Sequence, residues 1–208
     1  MPTLTAAPGF AIVGTGRSGT GFMSAALRAA GIDCGHEEWW GPTGTTRRAG
    51  MDGDCSWLAV PDLLGFGGPV LHQVRHPLDV IRSLVGIRMF TDPAHRAFRW
   101  FMYAELPGLR GDDVQDAMLW YVEWNARCER HADLRYRVED VDADLLVDIA
   151  RVAGHPIDHA TAVEALRQVP PRFNGRPRAD LGWDDLPSGM LRDRLVAAAT
   201  RYGYAPEA

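Results

Sequence analysis

The chain has 208 residues, 46% of them hydrophobic, with 22 basic and 27 acidic side chains and a formal net charge of −5. That is enough apolar sequence for one sizeable core, so a single domain spanning 1–208 is expected and no disulfide or metal staple is needed. The negative balance excludes a general nucleic-acid binder, and because no lysine occurs, every basic side chain is an arginine.

Phe10 to Val13 is a short apolar run with the continuity of a strand buried on both faces. A glycine-rich turn, Gly14-Thr15-Gly16-Arg17-Ser18-Gly19-Thr20-Gly21, follows, and Phe22, Met23, Ala26, Leu27 and Ala30 then recur at helical spacing. Strand, glycine-rich loop and helix form an anion-binding unit. Gly14, Gly16, Gly19 and Gly21 are expected to take positive-φ conformations that turn backbone N–H groups inward, and the helix adds its positive dipole end. Gly14-x-Gly16-x-x-Gly19 matches a dinucleotide fingerprint, but Gly31 to Gly35 has too few apolar residues for the strand that would hold a ribose. A Walker loop would place Lys and then Ser or Thr after the last glycine, whereas Thr20 and Gly21 follow Gly19 here.

Beyond the first helix, His36, Glu37 and Glu38 lie beside Trp39 and Trp40, a charged cluster against large aromatics and a candidate site wall. Residues 41 to 57 show no period and read as a long functional loop; Trp57 to Val60 reads as a short strand. Val70 to Val74 is a clear strand running into Arg75-His76-Pro77, with Pro77 suited to the first helical position. Val80, Ile81, Leu84 and Val85 give that helix its buried face, which assigns Asp79, Arg82 and Ser83 to the opposite one. Arg75 and Ser83 can then reach one phosphate from two sides at the sheet's carboxyl edge.

Helices are expected over 93–106 and 112–132, and a strand over Leu134 to Val138. Two more helices follow over 145–153, stopped by Gly154, and over 160–169, opened by Asp158. Residues 170 to 185 are irregular and carry Asn174, Arg176 and Arg178; Ser188 is expected to cap a last helix running toward Tyr202. Cys34, Cys55 and Cys128 are odd in number and widely spaced, which indicates neither a disulfide framework nor a zinc site. With no window near the roughly 18 apolar residues of a membrane span and no signal-peptide pattern at the N-terminus, a cytoplasmic protein is expected.

GTGRSGTGF and VRHPLDVIRSL together resemble the two phosphate-binding motifs of the sulfotransferases that use 3′-phosphoadenosine-5′-phosphosulfate, abbreviated PAPS. The motifs look closest to bacterial or phage-type members and to the protein-tyrosine sulfotransferases, and Cys34-Gly35-His36-Glu37-Glu38 is similar to the stretch holding the catalytic base of the latter. The resemblance implies a three-layer α/β/α fold with a central parallel sheet, of the P-loop NTPase-like sulfotransferase type. It implies that Gly16, Arg17, Ser18, Gly19, Thr20, Gly21 and Phe22 bind the 5′-phosphosulfate, Arg17 stabilising the departing phosphate, and that Arg75 and Ser83 bind the 3′-phosphate. A C-terminal basic segment closes over that phosphate in the family, and Arg176 and Arg178 are the candidates here. The implied reaction transfers a sulfuryl group to a hydroxyl or amine of a small-molecule, glycan or peptide acceptor, without a metal, and leaves adenosine 3′,5′-bisphosphate. Aligning on Cys34-Gly35 selects Glu37 as base; counting from Arg17 selects Glu38; His36 is a third candidate. A nucleotide-binding kinase, an NAD-type oxidoreductase and a non-catalytic nucleotide-binding domain are the alternatives, and neither acceptor identity nor oligomeric state is readable.

Overall fold

The computed structural model describes residues 7–41, 48–170 and 177–205. Phe10–Val13 forms β1, Thr20–Ala29 α1, Cys34–His36 β2, Gly53–Cys55 β3 and Val70–Val74 β4. Pro77–Gly86, Arg96–Glu105 and Asp113–Glu129 form α2, α3 and α4. The chain continues through β5 (Leu134–Arg137), α5 (Ala143–Val152), α6 (His159–Gln168) and α7 (Met190–Arg201). The strands make one five-stranded sheet in the order β2-β3-β1-β4-β5, every pair parallel.

Alternation along β1 divides the core. Phe10 and Ile12 point to one face, under α1, α5 and α6, while Ala11 and Val13 point to the other, under α2, α4 and α7. A strand covered on both faces favours apolar residues at successive positions, which is why Phe10-Ala11-Ile12-Val13 reads as a continuous run. The result is the expected α/β protein, a central parallel sheet flanked by helices. Among the described residues, no helix is long and apolar enough to cross a membrane.

Three expectations for the first half of the chain need correction. Gly31 to Gly35 does lead into a strand: β2 is only three residues long, an edge strand tied to α1 by the Ser24 hydroxyl, which donates to the Cys34 carbonyl at 2.9 Å. The aperiodic stretch from 41 to 57 contains β3, inserted between β2 and β1. Gly, Asp and Cys carry no strand signal, and the segment is extended because tertiary partners hold it. A Cβ on Gly53 would lie 2.2 Å from the Phe10 ring, and Asp54 is buried beneath three backbone N–H groups. Trp57 to Val60 is the start of a 3-10 helix, Trp57–Asp62, opened by the Ser56 hydroxyl, which accepts from the Leu58 amide.

Later differences are smaller. The expected helix over 93–106 begins as a 3-10 turn, Pro93–His95, before α3. Asp112, Asp142 and Asp158 cap α4, α5 and α6. The residue capping α7 is Gly189 at φ 116 instead of Ser188.

Candidate functional site

The carboxyl ends of β1 and β4 lie side by side, and the chain leaves them toward opposite faces of the sheet. Such a crevice collects the loops that follow the strands. It opens into a cavity of about 420 Å³.

The β1–α1 loop forms one side, through Gly16, Arg17, Gly19, Thr20, Gly21 and Phe22. Of the four glycines expected at positive φ, the loop uses only Gly19 (φ 98), and its second left-handed residue is Arg17 (φ 74). Gly14 is required for another reason: a Cβ there would lie 2.3 Å from the Gln73 carbonyl oxygen and 2.7 Å from the Ser18 hydroxyl. Ser18 contributes less to the cavity than expected. Its side chain is buried beneath the loop and its amide donates to the Thr15 carbonyl at 3.0 Å. Gly19 caps α1 without a side-chain bond, so the first-turn amides of Thr20, Gly21 and Phe22 have no intrahelical acceptor and stand at the cavity wall.

Gln73 supports the loop from below. Its side-chain amide donates to the Ser18 carbonyl at 2.8 Å and accepts from the Tyr136 hydroxyl at 2.9 Å. The signal for this residue was present, since His72 and Gln73 are polar residues inside a strand buried on both faces. Tyr136 is thereby committed to the core and not offered to a ligand. Tyr121 acts similarly on the neighbouring strand end, donating to the Arg75 carbonyl at 2.9 Å.

The β4–α2 element meets the loop directly. Arg17 Nε donates to Ser83 Oγ at 2.9 Å, and Arg75 Nη1 donates to the Arg17 carbonyl at 3.1 Å. Ser83 is therefore buried at the contact, on the inner side of α2 and not on the face first assigned to it. Asp79 lies between two guanidiniums, 3.4 Å from Arg75 and 3.1 Å from Arg178. The segment carrying Arg178 is fastened to α2 by the Ala179 amide, which donates to the Arg82 carbonyl at 2.9 Å, and by Arg82 Nε, which donates to the Leu181 carbonyl. It packs so closely that a Cβ on Gly86 would lie 2.5 Å from the Pro177 carbonyl oxygen. Asn174 and Arg176 lie outside the described residues.

Opposite the loop, the turn after β2 separates the three base candidates. Glu37 takes φ 58 and enters the cavity, its side chain 19% exposed. Burial pushes its carboxyl up to about 7, while a hydrogen bond from the Trp57 side chain and the Arg17 charge favour the carboxylate. His36 also lines the cavity, its Nε2 3.3 Å from the Thr20 hydroxyl and 3.7 Å from Glu37 Oε1. Burial and then the Arg28 charge hold its imidazole below the ordinary value. Glu38 faces the other way, clasped by Arg28 and Arg48, whose charges and hydrogen bonds outweigh its modest burial and lower its pKa. Asp54 sets this geometry by accepting from the amides of Glu38, Trp39 and Trp40 at 3.3, 3.0 and 3.1 Å.

The remaining wall is apolar. Trp57, Ile87, Met89 and Phe98 line it, with His95 and Pro177 at its margin. The arrangement can bind an anion at one end, accept a proton at the other and enclose an apolar body between them. Among the described residues, no group of three or more His, Cys, Asp or Glu side chains is placed to hold a metal ion.

No protein-family model matches the chain, and no curated protein matches it either.

Proposed function

We propose that this protein is a sulfotransferase that moves a sulfuryl group from PAPS to a hydroxyl or amine of an acceptor. The observation that carries the reading is the meeting of two motifs far apart in sequence: Arg17 bonded to Ser83, and Arg75 bonded to the Arg17 backbone, on one cavity that Glu37 enters from across.

The donor set fits a ligand with two separate phosphates. The first-turn amides of α1 and the Arg17 guanidinium suit the 5′-phosphosulfate; Arg75, Ser83 and Arg178 suit the 3′-phosphate. Asp79 holds the Arg75 and Arg178 guanidiniums on one side of α2.

In this reading PAPS supplies an activated sulfuryl group. Glu37 takes the acceptor proton as the new O–S (or N–S) bond forms and the S–O bond to the 5′-phosphate breaks. The bonding electron pair leaves on the phosphate oxygen, where Arg17 and the helix amides stabilise it by electrostatics set in advance. Arg17 keeps its charge throughout and acts by hydrogen bonding. His36 is placed to hold Thr20 and Glu37 in register.

Calorimetry with adenosine 3′,5′-bisphosphate, ATP and NAD tests the binding half, and release or transfer of sulfate from labelled PAPS tests the chemical half. Tight binding of the bisphosphate with sulfate transfer is expected. Binding of ATP or NAD alone would refute the reading, and bisphosphate binding without any sulfate transfer would leave a nucleotide-binding domain.

A further inference from the structure

We infer that the acceptor is an uncharged aromatic alcohol, a phenol-type hydroxyl on a flat apolar body, seated against Trp57 and Phe98 with its oxygen at Glu37. This rests on the sulfotransferase reading, which leaves the acceptor class open.

The charges of the cavity divide unevenly. Arg17 and Arg75, its two lining guanidiniums, lie at the end assigned to the donor phosphates. Apart from Arg17 and Arg75 the described lining carries no guanidinium, and Glu37 is its one carboxylate. Outside the loop and His36, its other members are Trp57, Ile87, Met89, Phe98, His95 and Pro177. Among the described lining residues, an acidic peptide or an anionic glycan placed against these side chains would meet no guanidinium beyond Arg17 and Arg75.

Polar capacity is equally limited. A neutral sugar presents several hydroxyls, each needing a partner once desolvated. His36 Nε2 is engaged with the Thr20 hydroxyl, and His95 Nε2 donates to the Ile87 carbonyl at 3.1 Å. Among the described lining side chains past the loop, Glu37 and the second ring nitrogens of His36 and His95 are what remains, few for the ring of hydroxyls a sugar presents.

The apolar wall has the form a ring needs. Trp57 and Phe98 have ring centroids 5.6 Å apart with planes tilted by 38°, which presents a splayed aromatic surface. Trp57 is braced edge-on by Trp120 and Phe101, and its carbonyl accepts from the Trp124 indole at 3.0 Å, so the surface is rigid. The cavity of about 420 Å³ also has to seat the phosphosulfate, which restricts the acceptor to a compact body.

Proton chemistry agrees with the shape. A carboxyl near 7 is about three pKa units from a phenol of about 10, but roughly eight or nine from a hydroxyl as weakly acidic as water. In the step, the phenol proton passes to the Glu37 carboxylate, the phenol oxygen bonds to sulfur, and the S–O bond to the 5′-phosphate breaks with its electron pair on the phosphate oxygen.

The test gives the full chain labelled PAPS with 2-naphthol, glucose or a tyrosine peptide flanked by glutamates, and measures adenosine 3′,5′-bisphosphate affinity in parallel by calorimetry. Expected is transfer to 2-naphthol at least about tenfold faster than to either other acceptor, with Phe98→Arg raising the 2-naphthol KM about tenfold at unchanged bisphosphate affinity. Bisphosphate binding together with equal or faster transfer to glucose or the peptide overturns the acceptor assignment and leaves the sulfotransferase reading standing. So does bisphosphate binding with transfer to another acceptor and none to 2-naphthol, or a Phe98→Arg enzyme with an unaltered 2-naphthol KM; bisphosphate binding without any sulfate transfer overturns both readings. Absence of bisphosphate binding overturns both.

Discussion

The β1–α1 loop and the turn after β2 line one cavity, and they are built by opposite means. The loop relies mainly on its own backbone: glycines that permit close approach and amides at a helix start, with one side chain from β4, Gln73, propping it from beneath. The turn uses its neighbours. Asp54 on the next strand gathers three of its amides, and Arg28 and Arg48 pull Glu38 outward, which leaves Glu37 to turn inward at φ 58. An anion site can be encoded locally because amides are present in every residue. A carboxyl near neutrality cannot, since burial by distant parts of the chain is what raises it.

The comparison is tested most severely by the two adjacent carboxylates. Glu37→Gln is expected to lower sulfate transfer by roughly 10²- to 10⁴-fold at unchanged bisphosphate affinity. Glu38→Gln should cost less than about threefold, because the exposed pairs it loses are worth only about 0–1 kcal/mol. Equal losses in the two variants would mean that the inward and outward assignments carry no functional difference.

Stability against pH sharpens the same point without any substrate. Because the folded-state carboxyl of Glu37 lies at about 7, above its ordinary 4.5, the native state binds this proton more tightly than the unfolded chain. Its contribution is fully present below about 4.5, is lost as pH rises toward 7, and stays lost above. Ionisation therefore costs up to about 3 kcal/mol at pH 8, and Glu37→Gln should flatten the decline in urea midpoint between pH 5 and pH 8.

Two variants probe the means of construction. Gly53→Ala drives a methyl into the Phe10 ring and is expected to cost about 1–3 kcal/mol in denaturant unfolding, with Gly67→Ala, also outside positive φ and with nothing within 4 Å of the new atom, as the reference. Tyr136→Phe removes the partner of the Gln73 carbonyl oxygen and should cost about 1 kcal/mol while weakening bisphosphate binding a few-fold. A stability loss with no change in that affinity would show that the prop serves the core and not the loop.

Much of the fold is written in local pattern. β1, β4 and β5 are runs with the right length and composition, and α1, α2 and α4 to α6 follow from apolar spacing and their caps. β2 and β3 escape such reading because three residues rich in Gly, Asp and Cys have no strand preference, and their neighbours impose the extended form. Within the site, the glycine loop and Arg75 are legible as chemistry. The inward burial of Ser83 is not, since it follows from a hydrogen bond to Arg17, 66 positions away. Nor can residue order choose between Glu37 and Glu38, because a left-handed glutamate has no sequence marker.

The clasp on Glu38 has one more consequence, for how the protein behaves among its own copies. β2 is an edge of the sheet, and an open edge invites strand pairing between molecules. Here the edge is three residues long and is covered by a charged knot: Arg48 binds Asp33 and Glu38 through its side chain and donates its amide to the Glu38 carbonyl at 3.2 Å. The contacts that hold one carboxylate away from the cavity thus also blunt the sheet against aggregation.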